Sequence, residues 1–335
     1  MAQYITIKEI ATKLGISHTT VSRALNDHPR ISKATKEKVQ QLAEKLGYRR
    51  NVSVQVFTRG ESKLIGMIVP DLSIHFFARV VQGAQSTLSR HGYGIIIYDT
   101  LESLSQEIQA IQSCLDHRVA GILAAISMET TSFDHFLSLS RHDVPLVFYD
   151  RVANFLPVPK VVINDHQAAF DATQFLIQSG RKHIAHITAS INLNNSNNRL
   201  YGYLDALSAN NRDADEQLIH YYQLDPSSID SFIERALLHQ PDLDAIFVFN
   251  DYVASHTVNV LHRLGKRVPD DIAVMGFSNE PVATQMTPQL STVKHAGEKM
   301  GQLAAQKIVS ILAKQEPLVN EKIVISPELI IREST

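Results

Sequence analysis

In the first 46 residues, apolar side chains recur three and four positions apart, whereas beyond residue 63 they gather into short uninterrupted runs. The first pattern predicts helices that each bury one face, and the second predicts strands covered on both sides. Ile7, Ile10, Ala11 and Leu14 form one stripe, Val21, Ala24 and Leu25 another, and Val39, Leu42, Ala43 and Leu46 a third. Thr6-Ile7-Lys8-Glu9 reads as a capping box, Ser17 as the N-cap of a second helix running to about Asn26, and Ser32 as the N-cap of the third. Gly15 and Gly47 supply the stops. Two short helices joined by a turn containing Gly make a helix-turn-helix, and the inward set on the second leaves His18, Thr19, Ser22 and Arg23 facing out. The first turn of such a helix is narrow enough to enter a major groove and meet base edges. A three-helix domain whose polar face is merely wet is the alternative.

In the body, buried strands at 64–70, 94–98, 121–125 and 145–149 alternate with helices at 76–91, 105–117 and 131–141. A second series follows, with strands at 161–164, 183–188, 245–250 and 273–276 and helices at 168–179, 199–208, 230–238 and 252–264. Alternation of this kind implies parallel sheets with right-handed crossovers. The expected fold class is therefore an N-terminal all-α helix-turn-helix domain followed by an α/β body of two lobes, each an open parallel sheet. Ligands of such bodies bind off the carboxyl ends of the strands, in the crevice between lobes.

Composition adds location and charge. A length of 335 residues suits two or three domains, and 44% hydrophobic with 20% charged residues suits a soluble globular chain. No run approaches the ~18 apolar residues of a membrane span. The start carries no secretory pattern, and the single Cys114 excludes an internal disulfide; both suit a reducing cytoplasm. Residues 1–60 hold 11 Lys/Arg against 4 Asp/Glu, while the rest of the chain is net acidic. A basic head on an acidic body points to a polyanionic partner for the head. His183 and His186 lie three apart on a predicted strand, so they face opposite ways and make a poor metal pair. Gly92-Tyr93-Gly94 lacks the rest of a dinucleotide fingerprint, and neither a P-loop nor Gly-x-Ser-x-Gly occurs. No cofactor and no enzymatic activity are expected.

Thr6-Ile7-Lys8-Glu9-Ile10-Ala11, Gly15-Ile16-Ser17, Thr20-Val21-Ser22-Arg23-Ala24-Leu25-Asn26 and Gly47-Tyr48 with Asn51 resemble the head of a LacI/GalR-type bacterial transcription regulator. In the body, Pro145-Leu146-Val147-Phe148-Tyr149-Asp150-Arg151, Arg199-Leu200-Tyr201-Gly202-Tyr203 and Val274-Met275-Gly276-Phe277 continue the likeness over essentially the whole chain. The resemblance implies a periplasmic-binding-protein-like body and a homodimer on near-palindromic operator double-stranded DNA. It also implies a small effector, whether sugar, sugar phosphate or nucleobase-like, and a bacterial cytoplasmic, nucleoid-associated location. The DNA-binding candidates are Thr6, Ser17, His18, Thr19, Thr20, Ser22, Arg23, Asn26 and Thr35, with Lys36 beside it. Among them His18 and Thr19 fall where the family reads bases, Ser22 and Arg23 where it contacts a base edge or phosphate. Ser17, Thr20 and Asn26 fall at backbone-anchoring positions. The domains expected are residues 1–48, a hinge at 49–62 and a ligand-binding and dimerisation body at 63–335. Its DNA-proximal lobe is expected at about 63–161 and 293–322, its distal lobe at about 162–292 and 323–335. The chain ends without an apolar heptad segment, so a dimer is expected rather than a tetramer.

The hinge departs from the family. Asn51 matches the usual cap, Arg50 stands where a Pro is usual, and Phe57 takes the place of the Leu that wedges into the minor groove. Val52, Val54 and Val56 are β-branched and lower helix propensity. Either the hinge orders on operator DNA with Phe57 as its wedge, or it is an extended linker that never enters the groove.

The crevice candidates are Phe76, Asp99, Asp150, Asn195, Arg199, Asn250, Asp251 and Phe277. Asp251 follows a strand end, where a carboxylate accepts from vicinal hydroxyls or ring N–H groups, and Arg199 offers a donor fork to the same ligand or pairs with Asp251. Phe76 is placed to cover the apolar face of a sugar or base, with Phe277 as a second cover. Asp99 and Asp150 end strands of the first lobe, and Asn195 and Asn250 could add amide contacts. For each carboxylate a helix N-cap or an interlobe salt bridge is the other reading. Ile74-His75 replace the family's usual Asn-Pro and Ser278-Asn279 its Asp-Asp, which leaves the ligand open. The Asn-rich run 192–198 reads as a polar loop near the crevice. A solute receptor or sugar-metabolising enzyme with a decorative head is the rival function.

Overall fold

Each of the three N-terminal helices begins on a hydroxyl that accepts from its own first turn. In front of α1 (Ile7–Leu14), Thr6 and Glu9 complete a capping box with bonds of 2.7 and 3.3 Å. Ser17 accepts from the Thr20 amide at 3.0 Å to start α2 (His18–Leu25), and Ser32 from the Thr35 amide at 3.3 Å to start α3 (Lys33–Lys45). Gly15 closes α1 at φ 65°, a conformation that costs glycine no Cβ clash. The buried set of this unit is Ile10, Ala11, Val21, Ala24, Val39 and Ala43. So small a core makes each cap, worth about 1 kcal/mol, a sizeable share of the stability.

The computed structural model describes residues 5–48, 62–314 and 319–335. The chain divides into two units, Met1–Glu61 and Ser62–Thr335. Asn51 and Phe57, and with them both readings of the hinge, lie outside the described residues.

The second unit opens with β1 (Leu64–Val69), α4 (His75–Arg90), β2 (Gly94–Asp99), α5 (Leu104–Asp116), β3 (Gly121–Ala124), α6 (Asp134–Ser138), β4 (Leu146–Tyr149) and β5 (Lys160–Ile163). It continues through α7 (Asp165–Gln178), β6 (Ile184–Thr188), α8 (Asn194–Ala209), β7 (Ile219–Tyr221), α9 (Pro226–His239), β8 (Ala245–Val248) and α10 (Asp251–Arg263). The last elements are β9 (Ala273–Ser278), α11 (Val282–Gln285), β10 (Ser291–Lys294), α12 (Gly297–Leu312), β11 (Lys322–Ile325) and β12 (Glu328–Ile330). The strands form two six-stranded sheets, in the orders β11-β5-β4-β3-β1-β2 and β12-β10-β9-β8-β6-β7. Every pairing is parallel except β10 with β12. β10 thus lies in the second sheet and β11 in the first, so the crossings fall after β5, after β10 and after β11.

Three differences from the sequence pattern matter for the site. The Asn-rich run is not a loop: from Asn194 it forms the first turn of α8, with Asn197 Nδ2 donating to the Ile191 carbonyl at 2.8 Å. Helix α12, which the periodicity did not single out, packs on α4 at backbone distance. A Cβ on Gly301 would overlap the Val80 carbonyl, and one on Gly83 the carbonyl of Glu298. Residues 131–141 shorten to α6 and a 3-10 turn at Leu139–His142.

The core of the second sheet contains a buried imidazole. His186 on β6 is fully buried between the rings of Tyr203 and Phe247, at centroid distances of 5.0 and 4.8 Å, and Nδ1 lies 3.0 Å from the Phe247 carbonyl. Burial pushes its pKa down to about 4, against the opposing pull of that carbonyl. The unfolded chain therefore binds more protons than the fold below the ordinary histidine value, and stability is lost as pH falls through that window. Denaturant unfolding of His186→Phe at pH 7 and pH 5 is expected to show about 2 kcal/mol less acid destabilisation than the parent chain. Equal losses in the two proteins would contradict it.

Candidate functional site

The carboxyl ends of both sheets carry backbone that ordinary side chains avoid. Asp150 after β4 has φ 56°, and Ser278 and Asn279 at the end of β9 have φ 112° and 54°. Left-handed non-glycine residues cost about 1–3 kcal/mol each and persist where surrounding contacts over-determine them, as at binding sites.

Arg199, on the first turns of α8, is the centre of the crevice. Its Nε and Nη2 each lie 2.8 Å from Asp165 Oδ1, and Nη1 donates to the Phe249 carbonyl at 2.8 Å. The guanidinium lies over the Phe277 ring, 3.6 Å from its centroid. Arg199 and Asp165 are both buried. Burial raises the Asp165 carboxyl above its ordinary pKa, with Arg199 pulling it down and Asp150 adding to the rise. Of the two readings of Arg199, a fork to a ligand or a pair with Asp251, the pair does not form; the carboxylate it meets is Asp165, which the same strand-end rule would have flagged behind β5.

On the first lobe, Asp150 Oδ1 and His295 Nε2 stand 3.2 Å apart but off the line of a hydrogen bond, so neither atom is satisfied. Burial opposes the charge on Asp150, yet His295, Arg151 and Arg199 outweigh it and hold the carboxyl below its usual range. Arg151 Nη1 donates to both oxygens of Glu102, at 2.8 and 2.7 Å. His295, on the crossing between β10 and α12, stacks face to face on Phe76 with centroids 3.9 Å apart. The ring face of Phe76, expected to cover a sugar or base, is stacked on an imidazole of the protein itself. Phe277, the second cover expected, is fully buried beneath Arg199 and beside the edge of His295.

Asp251 is fully buried and accepts from the Thr292 hydroxyl and the Glu280 amide, each at 2.7 Å. Burial raises its pKa to about 6 despite those bonds. It pins the β9–α11 turn rather than reaching outward. Glu280, in that turn, sends Oε1 across to the Phe76 amide at 3.0 Å, while its buried Oε2 has no hydrogen bond and lies 3.7 Å from His75. Burial, with Asp251 adding to it, lifts Glu280 to about 7. Asn250 caps α10 through the Val253 amide at 2.8 Å, which occupies its oxygen. Asn195 is buried at the start of α8, its oxygen accepting from the Ser196 amide at 2.9 Å. Half-buried Asp99 accepts from the Leu72 and Leu101 amides at 3.4 and 3.3 Å. Phe76, Glu280 and His295 line a cavity of about 550 Å³. Glu280 and His295 carried no sequence signal, because a turn and a lobe crossing have no period to read.

In the head, Thr6, Ser17, His18, Thr19, Arg23 and Asn26 are exposed, and Thr20, Ser22 and Thr35 are half-buried. Ser17 and Thr20 share a 2.8 Å hydroxyl contact, as do Ser32 and Thr35, so these pairs set helix starts. Lys36 is held by the Asp27 carboxylate at 2.6 Å rather than free. His18, Thr19 and Arg23 are left as an open polar face on α2.

Comparison with known proteins decides the family. Residues 6–51 match the bacterial regulatory proteins of the lacI family, and residues 173–335 a periplasmic binding protein-like domain. The chain is 32% identical over 334 residues, 98% of each chain, to the "Probable HTH-type transcriptional repressor ExuR" of Bacillus subtilis (strain 168). The chain belongs to the lacI family of bacterial regulatory proteins. The ribose operon repressor of the same organism is 30% identical over 330 residues, again 98% of each. Among solved structures, a transcriptional regulator CelR–cellobiose complex matches at TM-score 0.75 and 27% identity, covering 99% of this chain and 100% of that one. A lac repressor dimer bound to operator and the anti-inducer ONPF matches in fold at TM-score 0.86 and 21% identity, covering 99% of each. The family consists of transcriptional regulators rather than enzymes, and among the described residues no helix is long and apolar enough to cross a membrane.

In this lacI-family body the buried carboxylates Asp165 and Asp251 differ in what they bond, a guanidinium for the first and a hydroxyl and amides for the second. Asp165→Asn leaves Arg199 buried without its counter-charge and is expected to cost about 3 kcal/mol in denaturant unfolding at pH 7. Asp251→Asn removes a charge that burial already disfavours, and its cost is expected to be the smaller. The reverse order would contradict this account of the crevice.

Proposed function

We propose that this lacI-family regulator is a repressor that binds a near-palindromic operator as a homodimer and is switched by a sugar in the crevice between its lobes. The observation that carries the reading is the first turn of α2, where His18 and Thr19 are exposed directly after a fully bonded cap, with Arg23 on the same helix. A helix so presented supplies donors and acceptors at the right scale for a major groove. One head offers few such groups, so specific affinity calls for two heads on two half-sites. Residues 1–48 are the reading head, 49–62 the hinge, and 63–335 the effector and dimer body, acting in the cytoplasm at the nucleoid. The crevice supports ligand control because Asp150, Arg199, Glu280 and His295 converge there from both sheets and from the crossing between them. An effector acts only through its unequal affinity for two arrangements of the lobes.

The test begins with selection of a binding site from random duplex DNA, followed by anisotropy titration at fixed salt. His18→Ala and Arg23→Ala are each expected to weaken the selected site by about 1–3 kcal/mol and to relax its sequence preference, without change in helix content. A chain indifferent to every duplex at low ionic strength, where phosphate attraction is greatest, would overturn the proposal.

A further inference from the structure

We propose that Glu280 is a proton-operated latch between the lobes: neutral, it holds the second lobe against the first turn of α4, and ionised, it favours the arrangement in which that contact opens. Acidity thereby becomes a second input on the lobe movement through which an effector acts. The latch concerns the body alone and needs no effector, and so goes beyond the repressor reading.

The device follows from where the carboxylate sits. Helix α4 starts behind Ile74, whose side chain cannot cap it, and the first N–H groups of a helix have no partner within the helix itself. Glu280 supplies the acceptor from the other sheet, Oε1 taking the Phe76 amide at 3.0 Å. Its own backbone is fixed: the Glu280 amide donates to Asp251 at 2.7 Å, and left-handed residues at Ser278 and Asn279 set the turn. Glu280 is only 2% exposed, and its second oxygen is buried without a hydrogen bond. One oxygen of the carboxylate is thus met and the other is not. Ionised in that place, the group lacks the water it gains when the contact opens. The neutral acid still accepts from Phe76 and leaves no charge unsolvated.

The neighbours do not reverse this. From α10, Asp251 adds like charge while Tyr252 pulls the other way; from α4, the Phe76 amide favours the charge, and exposed His75 stands 3.7 Å off. Arg79 is turned to Glu298, Lys294 to Glu328 and His295 to Asp150, and Lys299 is exposed. Burial and Asp251 prevail, and the carboxyl rises from an ordinary 4.5 to about 7. Asp251 is raised as well, but its bonds to Thr292 and the Glu280 amide lie within its own lobe, so its proton does not register the movement. A group whose value is raised in one arrangement stabilises that arrangement when protonated. The latched form is therefore favoured at low pH and loses that advantage as pH rises through about 7. With the ordinary value restored once the contact opens, the ratio of latched to open falls about tenfold between pH 6 and pH 8.

The full chain is followed by hydrogen exchange and mass spectrometry at pH 6 and pH 8, with the Phe76 amide read from overlapping peptides and corrected for base catalysis. Protection of that amide is expected to be about tenfold greater at pH 6. Glu280→Gln keeps the acceptor and cannot ionise, so its protection is expected to hold the high value at both; His75→Gln is expected to keep the step. Circular dichroism checks that both variants fold. Equal protection at the two pH values in the parent, or a step that His75→Gln removes and Glu280→Gln retains, overturns the latch. Anisotropy titration of the selected operator at the same pH values and fixed salt reads the regulatory half. The ratio of the two affinities is expected to differ between the parent and Glu280→Gln, by up to about tenfold. An identical ratio in both overturns the proton as an input. A chain that binds no duplex overturns the repressor reading instead, and the exchange measurement still decides the latch.

Discussion

The buried guanidinium of Arg199 is the constraint around which the crevice is arranged. A charge with so little access to water needs a counter-ion and satisfied N–H groups, or the fold loses several kcal/mol. Asp165 at the start of α7, the carbonyl of Phe249 beyond β8 and the ring of Phe277 on β9 meet those needs together. The residue thereby fixes the start of α8 against two strand ends and a neighbouring helix. Side chains placed on those ends, Asn195, Asn250 and Asp251, inherit their positions from it. The strand ends around it are costly, with left-handed backbone at Asp150, Ser278 and Asn279. Such strain persists because the contacts on either side leave no other arrangement.

How much of this was legible follows the range of each interaction. Caps and turns are local, so Thr6 with Glu9, Ser17 with Thr20 and Gly15 were readable, and they carry the head. Buried strands of parallel sheets were readable as apolar runs, whereas β7, β11 and β12 are three or four residues long and half solvated, too short for a period to register. Asn194 to Asn198 have poor helix propensity, but at a helix start their amides bond nearby backbone, and the position overrides the composition. Arg199 was recognisable; its partner was not. Asp165 and Asp251 both follow strands, and only the packing of α7 on α8 determines which of them the guanidinium reaches.

Asp150 and Asp251 show why residue type alone did not assign roles. Both are aspartates at strand ends and both are buried. Asp150 is held ionised by the cations and imidazole around it, while burial raises Asp251 by more than its hydroxyl and amide partners lower it. The first keeps one oxygen outside any aligned hydrogen bond, 3.2 Å from His295, and the second spends its oxygens on Thr292 and the turn that carries Glu280. Asp251 therefore acts on the crevice through another residue's position.

Among the described residues, hydrogen bonds and a longer ion pair join the lobes beside an apolar core drawn from both. Glu280 meets the Phe76 amide at 3.0 Å, and the Asn194 oxygen meets the Val152 amide at 2.7 Å. Each is a net gain of about 1 kcal/mol, somewhat more where a charge is involved. Such contacts bias the arrangement of the lobes by a small amount beside the apolar packing they share. A ligand meeting the poorly aligned polar atoms of Asp150, Glu280, Arg151 and His295 would act on that balance. Since the head has a core made wholly of its own residues, such a ligand would have to alter how the heads are presented, not whether they are folded.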